Sequence, residues 1–99
     1  MPIASPRYAF TPIMVSGAPA DPGVFALWEN DEIIYYGHAR GQSITIQSCL
    51  REHLERRHDC TKGATHYGWE ISANPPLREM ELLREYERAN QKLPRCNRK

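Results

Sequence analysis

The feature that most constrains the fold is a pair of triplets separated by nine residues, each made of one glycine and two residues that are apolar or aromatic. Gly23-Val24-Phe25 precedes the intervening segment and Tyr35-Tyr36-Gly37 follows it. That segment consists of an apolar arm, the polar pair Asn30-Asp31 and a second apolar arm. Valine, isoleucine and aromatic residues favour strands, and asparagine and aspartate tolerate the positive φ of tight turns. The pattern therefore predicts a β-hairpin over residues 23–37.

Length and cysteine content limit the class of protein. The 99 residues suit one domain, and a chain of this size buries roughly 60 to 68% of its surface on folding, which permits one core. No apolar run reaches about 18 residues and prolines interrupt the N-terminus, so we expect neither a membrane span nor a signal peptide. The three cysteines, Cys49, Cys60 and Cys96, are odd in number and lack a paired spacing. They predict a reducing, cytoplasmic location.

Charge is informative in its distribution rather than in its sum, which is only +1. Residues 88–99 carry five basic side chains and no acidic one, whereas the basic residues of 51–62 have acidic neighbours. A local basic surface can contact phosphates even when the whole domain is near neutral. The competing interpretation is a solvated helix face followed by a basic tail.

The segment after the hairpin predicts a helix and then a strand. A helix capped by Ser43 and running to about His58 is indicated by apolar residues that recur every four positions on one side. These residues are Ile46, Leu50 and Leu54. Residues 65–71 alternate between two faces, with Tyr67 and Trp69 on the same one, which predicts a third strand.

A last helix follows Asn74, which can cap it, with a proline in the first turn. Its predicted sheet-facing stripe consists of Leu77, Met80, Leu83 and Tyr86. The element order β-β-α-β-α predicts an α+β domain, a small antiparallel sheet flanked by helices, over residues 23–97. Residues 1–22 are interpreted as an N-terminal arm and loop at the sheet edge, and residues 98–99 as a basic tail.

These motifs resemble those of the GIY-YIG nuclease superfamily, whose members are small β-β-α-β-α domains. The two glycine-flanked triplets occupy the signature positions. Further similarities follow in the same order along the chain: His38-Ala39, Leu50-Arg51-Glu52-His53, Glu79-Met80-Glu81-Leu82-Leu83 and Pro94-Arg95-Cys96-Asn97. Each motif is short, and their shared order on the expected elements makes the resemblance specific.

The resemblance implies metal-assisted hydrolysis of DNA phosphodiester bonds, with Mg²⁺ or Mn²⁺ as cofactor and no small-molecule cofactor. This chemistry requires a base for water, cations near the phosphoryl group and a carboxylate that holds the ion. Mg²⁺ commonly uses only one or two protein carboxylates, so one glutamate is enough. Carried over residue by residue, Tyr35 matches the second tyrosine of the family, Glu79 its metal ligand and Asn97 its asparagine.

Two positions depart from the family pattern. Phe25 replaces the first tyrosine and has no hydroxyl, and Cys49 stands where the helix arginine is expected. Histidine can accept a proton at neutral pH, so it is a reasonable replacement for a tyrosine base. The candidate substitutes are Tyr36 and His38 for the base, and Arg51, Arg40 and Arg56 for the arginine.

The departures leave two hypotheses open. Loss of a positioned base costs roughly 10²- to 10⁴-fold in rate, and loss of one charge-stabilising donor costs on the order of 10²- to 10³-fold. The chain is therefore either a metal-dependent endonuclease or an inactive domain of the same fold that binds nucleic acid or a protein. Phosphate contacts are expected from these side chains: Arg40, Arg56, Lys62 and Arg95.

The hairpin register provides an internal test of the family interpretation. If Phe25 and Tyr35 line one site, they must share a face of the sheet. A two-residue turn at Asn30 and Asp31 would instead pair Phe25 with Tyr36, because a slip of one residue exchanges the faces. The family interpretation therefore predicts a longer or bulged loop around Asn30.

Simpler roles compete with the functional ones at several positions. His53 is expected to pack or form a hydrogen bond at the helix end, and Glu81 is a second choice of metal ligand if the last helix is rotated. A zinc site would draw on His53, His58, Cys60, His66 and Cys96. Because these residues lack the paired spacing of zinc ligands, that hypothesis is weak.

Overall fold

The computed structural model describes residues 2–55 and 58–98. Within these ranges an antiparallel sheet has the strand order β1-β4-β2-β3. The strands are β1 (Tyr8–Ala9), β2 (Gly23–Glu29), β3 (Glu32–Ala39) and β4 (His66–Ile71). The helices are α1 (Pro12–Val15), α2 (Ile46–Leu54) and α3 (Pro75–Asn90), and two 3₁₀ turns cover Asp59–Thr61 and Arg95–Asn97. The predicted α+β fold is confirmed, and the N-terminal arm adds β1 and α1 to it.

The hairpin of β2 and β3 combines a tight turn with a β-bulge. Its loop is the predicted pair Asn30-Asp31, with Asn30 at a φ of 57°. Trp28 lies opposite Ile33, whereas Leu27 lies opposite Tyr35, so Ile34 is an extra residue on β3. The predicted irregularity therefore exists, but it lies in the strand rather than in the loop. It brings Tyr35 onto the face of the sheet that carries Phe25.

Close packing explains the glycines of the two triplets. A Cβ atom on Gly37 would lie 2.5 Å from the Phe25 ring and 2.8 Å from the Tyr35 ring. A Cβ atom on Gly23 would overlap the Glu70 carbonyl oxygen of the neighbouring strand. Both glycines are therefore required by contact with their neighbours, because real Cβ atoms do not approach other atoms this closely.

The sheet is covered on both faces, which gives two hydrophobic clusters. On one face α1 and α2 pack over Phe25, Leu27 and Tyr67, through Val15 and Leu50 among others. On the other face α3 packs over a smaller cluster. Its buried members are Val24, Ala26, Tyr36 and Leu82. The edge strand β3 therefore has α2 on one side and α3 on the other.

Helix α2 is shorter than predicted at both ends. It begins after Thr45, whose hydroxyl accepts a hydrogen bond from the Ser48 backbone N–H at 3.0 Å, while the Ser48 hydroxyl accepts one from Thr45 N–H at 2.9 Å. This reciprocal capping box stabilises the start of the helix better than Ser43 could. The C-cap is Glu55, so the predicted end near His58 is also wrong.

Helix α3 is capped by Asn74 as predicted, and the predicted stripe is right for Leu83 and Tyr86, which pack against the sheet-facing cluster, but wrong for Leu77 and Met80. Leu77 and Met80 are 48% and 44% exposed, whereas Leu82 is 1% exposed. Steps of three residues fall about 60° short of a full helical turn, so such a stripe drifts around the helix. The same geometry puts Glu79 on the side of α3 that carries the sheet-facing Leu82 and Tyr86.

A disulfide joins Cys60 and Cys96, with their Cα atoms 5.6 Å apart, and Cys49 is free. The expectation that the cysteines are unpaired is therefore wrong. Spacing along the chain could not show this pair, because its members are separated by 36 residues and meet only when the two 3₁₀ turns pack together. Among the described helices, none is long and apolar enough to cross a bilayer.

The corrected stripe on α3 can be tested with a pair of leucines. We expect Leu82→Ala to lower the free energy of unfolding by about 2 to 5 kcal/mol, since it leaves a cavity under the sheet. Leu77→Ala, on the exposed side of the same helix, should change it by less than about 1 kcal/mol. Urea denaturation followed by circular dichroism measures both values. Equal losses would contradict the orientation of α3.

Candidate functional site

Tyr35 lies in an aromatic cluster beneath α2. Its ring centroid is 6.0 Å from that of Phe25 and 5.2 Å from that of His53. Burial raises the pKa of the Tyr35 hydroxyl, and the charge of Glu79 and then that of Cys49 raise it further. At neutral pH Tyr35 is therefore a protonated phenol, suited to donate a hydrogen bond rather than to remove a proton.

Glu79 presents its carboxylate to the edge of the sheet. Its Oε1 atom lies 3.2 Å from Nδ1 of His38, and its side chain is 23% exposed. It comes from α3, on the face of the sheet opposite to the one that α2 covers. The charge of Glu79 also raises the pKa of Tyr35, a member of the second triplet, and its contact with His38 puts the carboxylate at the edge of β3.

Asn97 binds the backbone of this edge strand. Its Oδ1 atom accepts a hydrogen bond from Tyr36 N–H at 2.9 Å, and its Nδ2 atom donates one to the Tyr36 carbonyl at 3.0 Å. The amide thus pairs with β3 as a neighbouring strand would. Because Tyr36 is next to Tyr35 in the chain, this pairing fixes the strand position from which Tyr35 projects.

A cavity of about 450 Å³ adjoins Tyr35 on the α2 side. It is lined by Tyr35, His53, His58, Asp59, Cys60, Thr61 and Cys96. The Thr61 hydroxyl donates to the His58 carbonyl and accepts from Nδ1 of His53 at 2.7 Å. The predicted packing and hydrogen-bonding role of His53 is confirmed, and burial followed by the charge of His58 lowers its pKa to about 4.

The two departures from the family pattern both lie at this site. Phe25 is 2% exposed and packs against Tyr35, and it adds no polar group. Cys49 packs against the hydrophobic cluster that contains Phe25, as Tyr35 does. Burial, and secondarily Glu52, raise the pKa of the Cys49 thiol, so it is neutral at physiological pH. The position expected to carry an arginine therefore provides no positive charge.

Other candidates lie elsewhere. The Tyr36 ring packs against Tyr86 under α3, on the face opposite to Tyr35, and burial raises its pKa to about 12. Arg51 lines a separate depression with Pro12, Leu54 and Glu55. Glu81 faces away from the β3 edge, and its Oε1 atom lies 3.6 Å from Nη1 of Arg78. The structure thus brings Tyr35, His38, Glu79 and Asn97 together, and it does not bring Tyr36, Arg51 or Glu81 to them.

The predicted phosphate-binding residues differ in their environments. Nζ of Lys62 lies 2.9 Å from Oδ1 of Asp59, and Nη2 of Arg95 lies 2.5 Å from Oε1 of Glu29. Both cations are therefore already paired with carboxylates. Arg40 is exposed just beyond the end of β3 and forms no ion pair with any residue in 2–55 or 58–98. Arg56 lies outside the described residues.

The donor set fits a magnesium-type ion better than zinc. No group of three His, Cys, Asp or Glu side chains within residues 2–55 and 58–98 is arranged to hold a metal. Two of the cysteines considered for zinc are consumed by the disulfide. A single partly exposed carboxylate at an open edge instead suits an ion that keeps most of its waters and takes its other ligands from phosphate.

Comparison with solved structures decides the fold. The chain is similar to the GIY-YIG N-terminal endonuclease domain of UvrC from Thermotoga maritima, a point mutant crystallised with its catalytic divalent cation. The TM-score is 0.61 over 88% of this chain and 93% of that one, at 18% sequence identity. The chain has a GIY-YIG-like fold.

Comparisons of sequence, unlike the comparison of structures, find no match for this chain. No protein-family model matches the chain, and no curated protein sequence matches it. In the GIY-YIG-like fold of this chain the two triplets lie side by side on β2 and β3, with Phe25 and Tyr35 on one face.

The buried His53 predicts how stability depends on pH. Its pKa of about 4 in the folded state is below the ordinary value of 6.5, so the unfolded chain binds more protons between these values. Stability should be fully present above about pH 6.5 and fall by roughly 2 to 3 kcal/mol as the pH drops to about 4. Urea midpoints at each pH, compared between wild type and His53→Gln, isolate this contribution. Identical pH profiles would contradict it.

Proposed function

We propose that the chain hydrolyses DNA phosphodiester bonds as a divalent-metal-dependent endonuclease. The observation that carries this proposal is the position of Glu79. A carboxylate on the sheet-facing side of α3 contacts His38 and acts electrostatically on Tyr35, so it lies at the second triplet on the edge of β3. The 23% exposure of its side chain leaves it accessible to an ion and a DNA strand.

Glu79 would hold Mg²⁺ or Mn²⁺. When bound, the ion would polarise a phosphoryl oxygen and neutralise developing negative charge. The similar UvrC domain was crystallised with a catalytic divalent cation, which supports such a cofactor here. The exposed Arg40 beyond β3 would contact a neighbouring phosphate, and this contact would take over part of the role of the missing helix arginine.

His38 would be the general base. Its Nδ1–H group donates to Glu79 Oε1, and this contact leaves Nε2 as the nitrogen that can accept a proton from water. Tyr35, kept protonated by its raised pKa, would donate a hydrogen bond to the phosphate or the attacking water. Asn97 is a positioning residue, since it holds the backbone between Tyr35 and His38.

An inactive DNA-binding domain of the same fold is the alternative. The observation that favours it is that Phe25 and Cys49 are neutral and without a charged group, where the family carries a hydroxyl and a cation. This alternative predicts binding that weakens with salt by about one unit of slope per phosphate contact, without strand cleavage.

Cleavage of supercoiled, branched and single-stranded DNA with Mg²⁺ or Mn²⁺ tests the proposal. We expect Glu79→Gln to reduce the rate by at least about 10²-fold, since it removes the charge that holds the ion. His38→Gln should reduce the rate by about 10²- to 10⁴-fold. Chelation of the metal by EDTA should stop the reaction.

Glu81→Gln is the matched control, because it lies on the same helix and faces away from the edge. It should retain the wild-type rate. Cleavage that survives Glu79→Gln would refute the proposal, and DNA binding without any cleavage by the wild type would establish the inactive alternative.

A further inference from the structure

The disulfide lies against the proposed site. Cys60 belongs to the first 3₁₀ turn and Cys96 to the second, and both line the cavity that Tyr35 and His53 share. Cys96 also packs against the hydrophobic cluster that contains Phe25 and contacts Tyr35. The bond therefore forms part of the wall next to the phenol rather than a remote crosslink.

The residue that follows Cys96 is Asn97, which satisfies both outward-facing backbone groups of Tyr36. The segment before Cys96 has anchors of its own, since Pro94 is fully buried and Arg95 pairs with Glu29. The Arg95 pair is largely exposed, and exposed ion pairs contribute little. The disulfide is thus the covalent anchor immediately beside the amide that binds the edge strand.

The bond is also accessible to a reductant. Cys60 is an exposed residue, whereas Cys96 is only partly exposed, so Cys60 is the cysteine that an incoming thiolate would attack. Disulfides in cytosolic proteins are usually transient, catalytic or redox-sensing. Exposed disulfides are more often labile or regulatory than buried ones, so a bond with one exposed cysteine at the edge of the proposed site is a candidate for redox control.

We propose that the Cys60–Cys96 disulfide is a redox latch on the edge of β3. In the oxidised state it holds Asn97 on the Tyr36 backbone and keeps the cavity wall closed beside Tyr35. In the reduced state Asn97 leaves the strand for part of the time, the edge loosens and cleavage slows. The structural half of this proposal is independent of the nuclease activity; the change in rate rests on the proposed function.

The reductant is a dithiol, and the exchange balances. One thiolate attacks the Cys60 sulfur, the Cys60–Cys96 bond breaks, and Cys96 leaves as a thiolate that takes up a proton. The second thiol of the reductant then attacks its own mixed disulfide and releases Cys60, which is protonated in turn. Two electrons pass from the dithiol, which becomes a cyclic disulfide, to the two cysteines.

Hydrogen exchange of the Tyr36 amide, measured by NMR without DNA or metal, tests the latch. We expect exchange of this amide to accelerate at least about tenfold when the oxidised protein is treated with dithiothreitol, as one backbone hydrogen bond is weakened. The Cys60→Ser/Cys96→Ser protein should show the same acceleration, and dithiothreitol should not change it further. Asn97→Ala should accelerate exchange even in the oxidised state.

Cys49→Ser is the matched control, because it removes the free thiol and keeps the disulfide. Its Tyr36 amide should respond to dithiothreitol as in the wild type. Unchanged Tyr36 exchange after reduction would overturn the latch. An equal acceleration at Ala26 and Gly68, in the central strands, would also overturn it, since the bond would then stabilise the whole domain rather than the edge of β3. If the DNA-cleavage assay fails while Tyr36 responds, only the proposed function is lost.

Discussion

One extra residue in an edge strand determines which side chains can act together in this domain. Ile34 has no partner on β2, and from that point the pairing of the hairpin is shifted by one position. With a regular ladder, Phe25 would lie opposite Tyr36 and the Tyr35 ring would project under α3. The bulge instead places the Tyr35 ring beside Phe25 and leaves the Tyr36 ring to fill the core below Tyr86.

The position of β3 at the sheet edge determines what can reach Tyr35. α2 covers one face and α3 the other, so a side chain from α3 can approach the Tyr35 side only around an open edge. The Glu79 carboxylate lies at this edge, in contact with His38. The second 3₁₀ turn covers the same edge, because Asn97 binds the backbone of Tyr36. Edge strands expose unpaired backbone groups that attract other chains. Here the Asn97 amide occupies those groups at Tyr36 and also fixes the strand beside the candidate site.

The sequence predicted much of this arrangement because the signals were local. The hairpin, the α2 leucines and the Asn74 cap depend on neighbours a few residues away, and all three were confirmed. The placement of Glu79 also follows from helical geometry, since steps of four and three residues along α3 connect it to Leu82, Leu83 and Tyr86.

What could not be predicted depends on contacts between distant segments. The Cys60–Cys96 pair and the bond from Asn97 to Tyr36 join positions 36 and 61 residues apart. The family interpretation predicted an irregularity near the turn, but its position in the strand has no local signature, because Ile33 and Ile34 are both good strand residues. Neighbouring strand residues always point to opposite faces, so the bulge determined which of Tyr35 and Tyr36 faces α2, not their separation.

We propose above all that Glu79 presents its carboxylate to a divalent cation at the edge of β3, beside Tyr35 and His38. Crystals of the oxidised protein soaked in Mn²⁺ and measured at the manganese absorption edge test it directly. We expect an anomalous peak next to the Glu79 carboxylate in the wild type and none at that position in Glu79→Gln. A Glu79 carboxylate that points away from β3, or manganese bound only elsewhere, would contradict it.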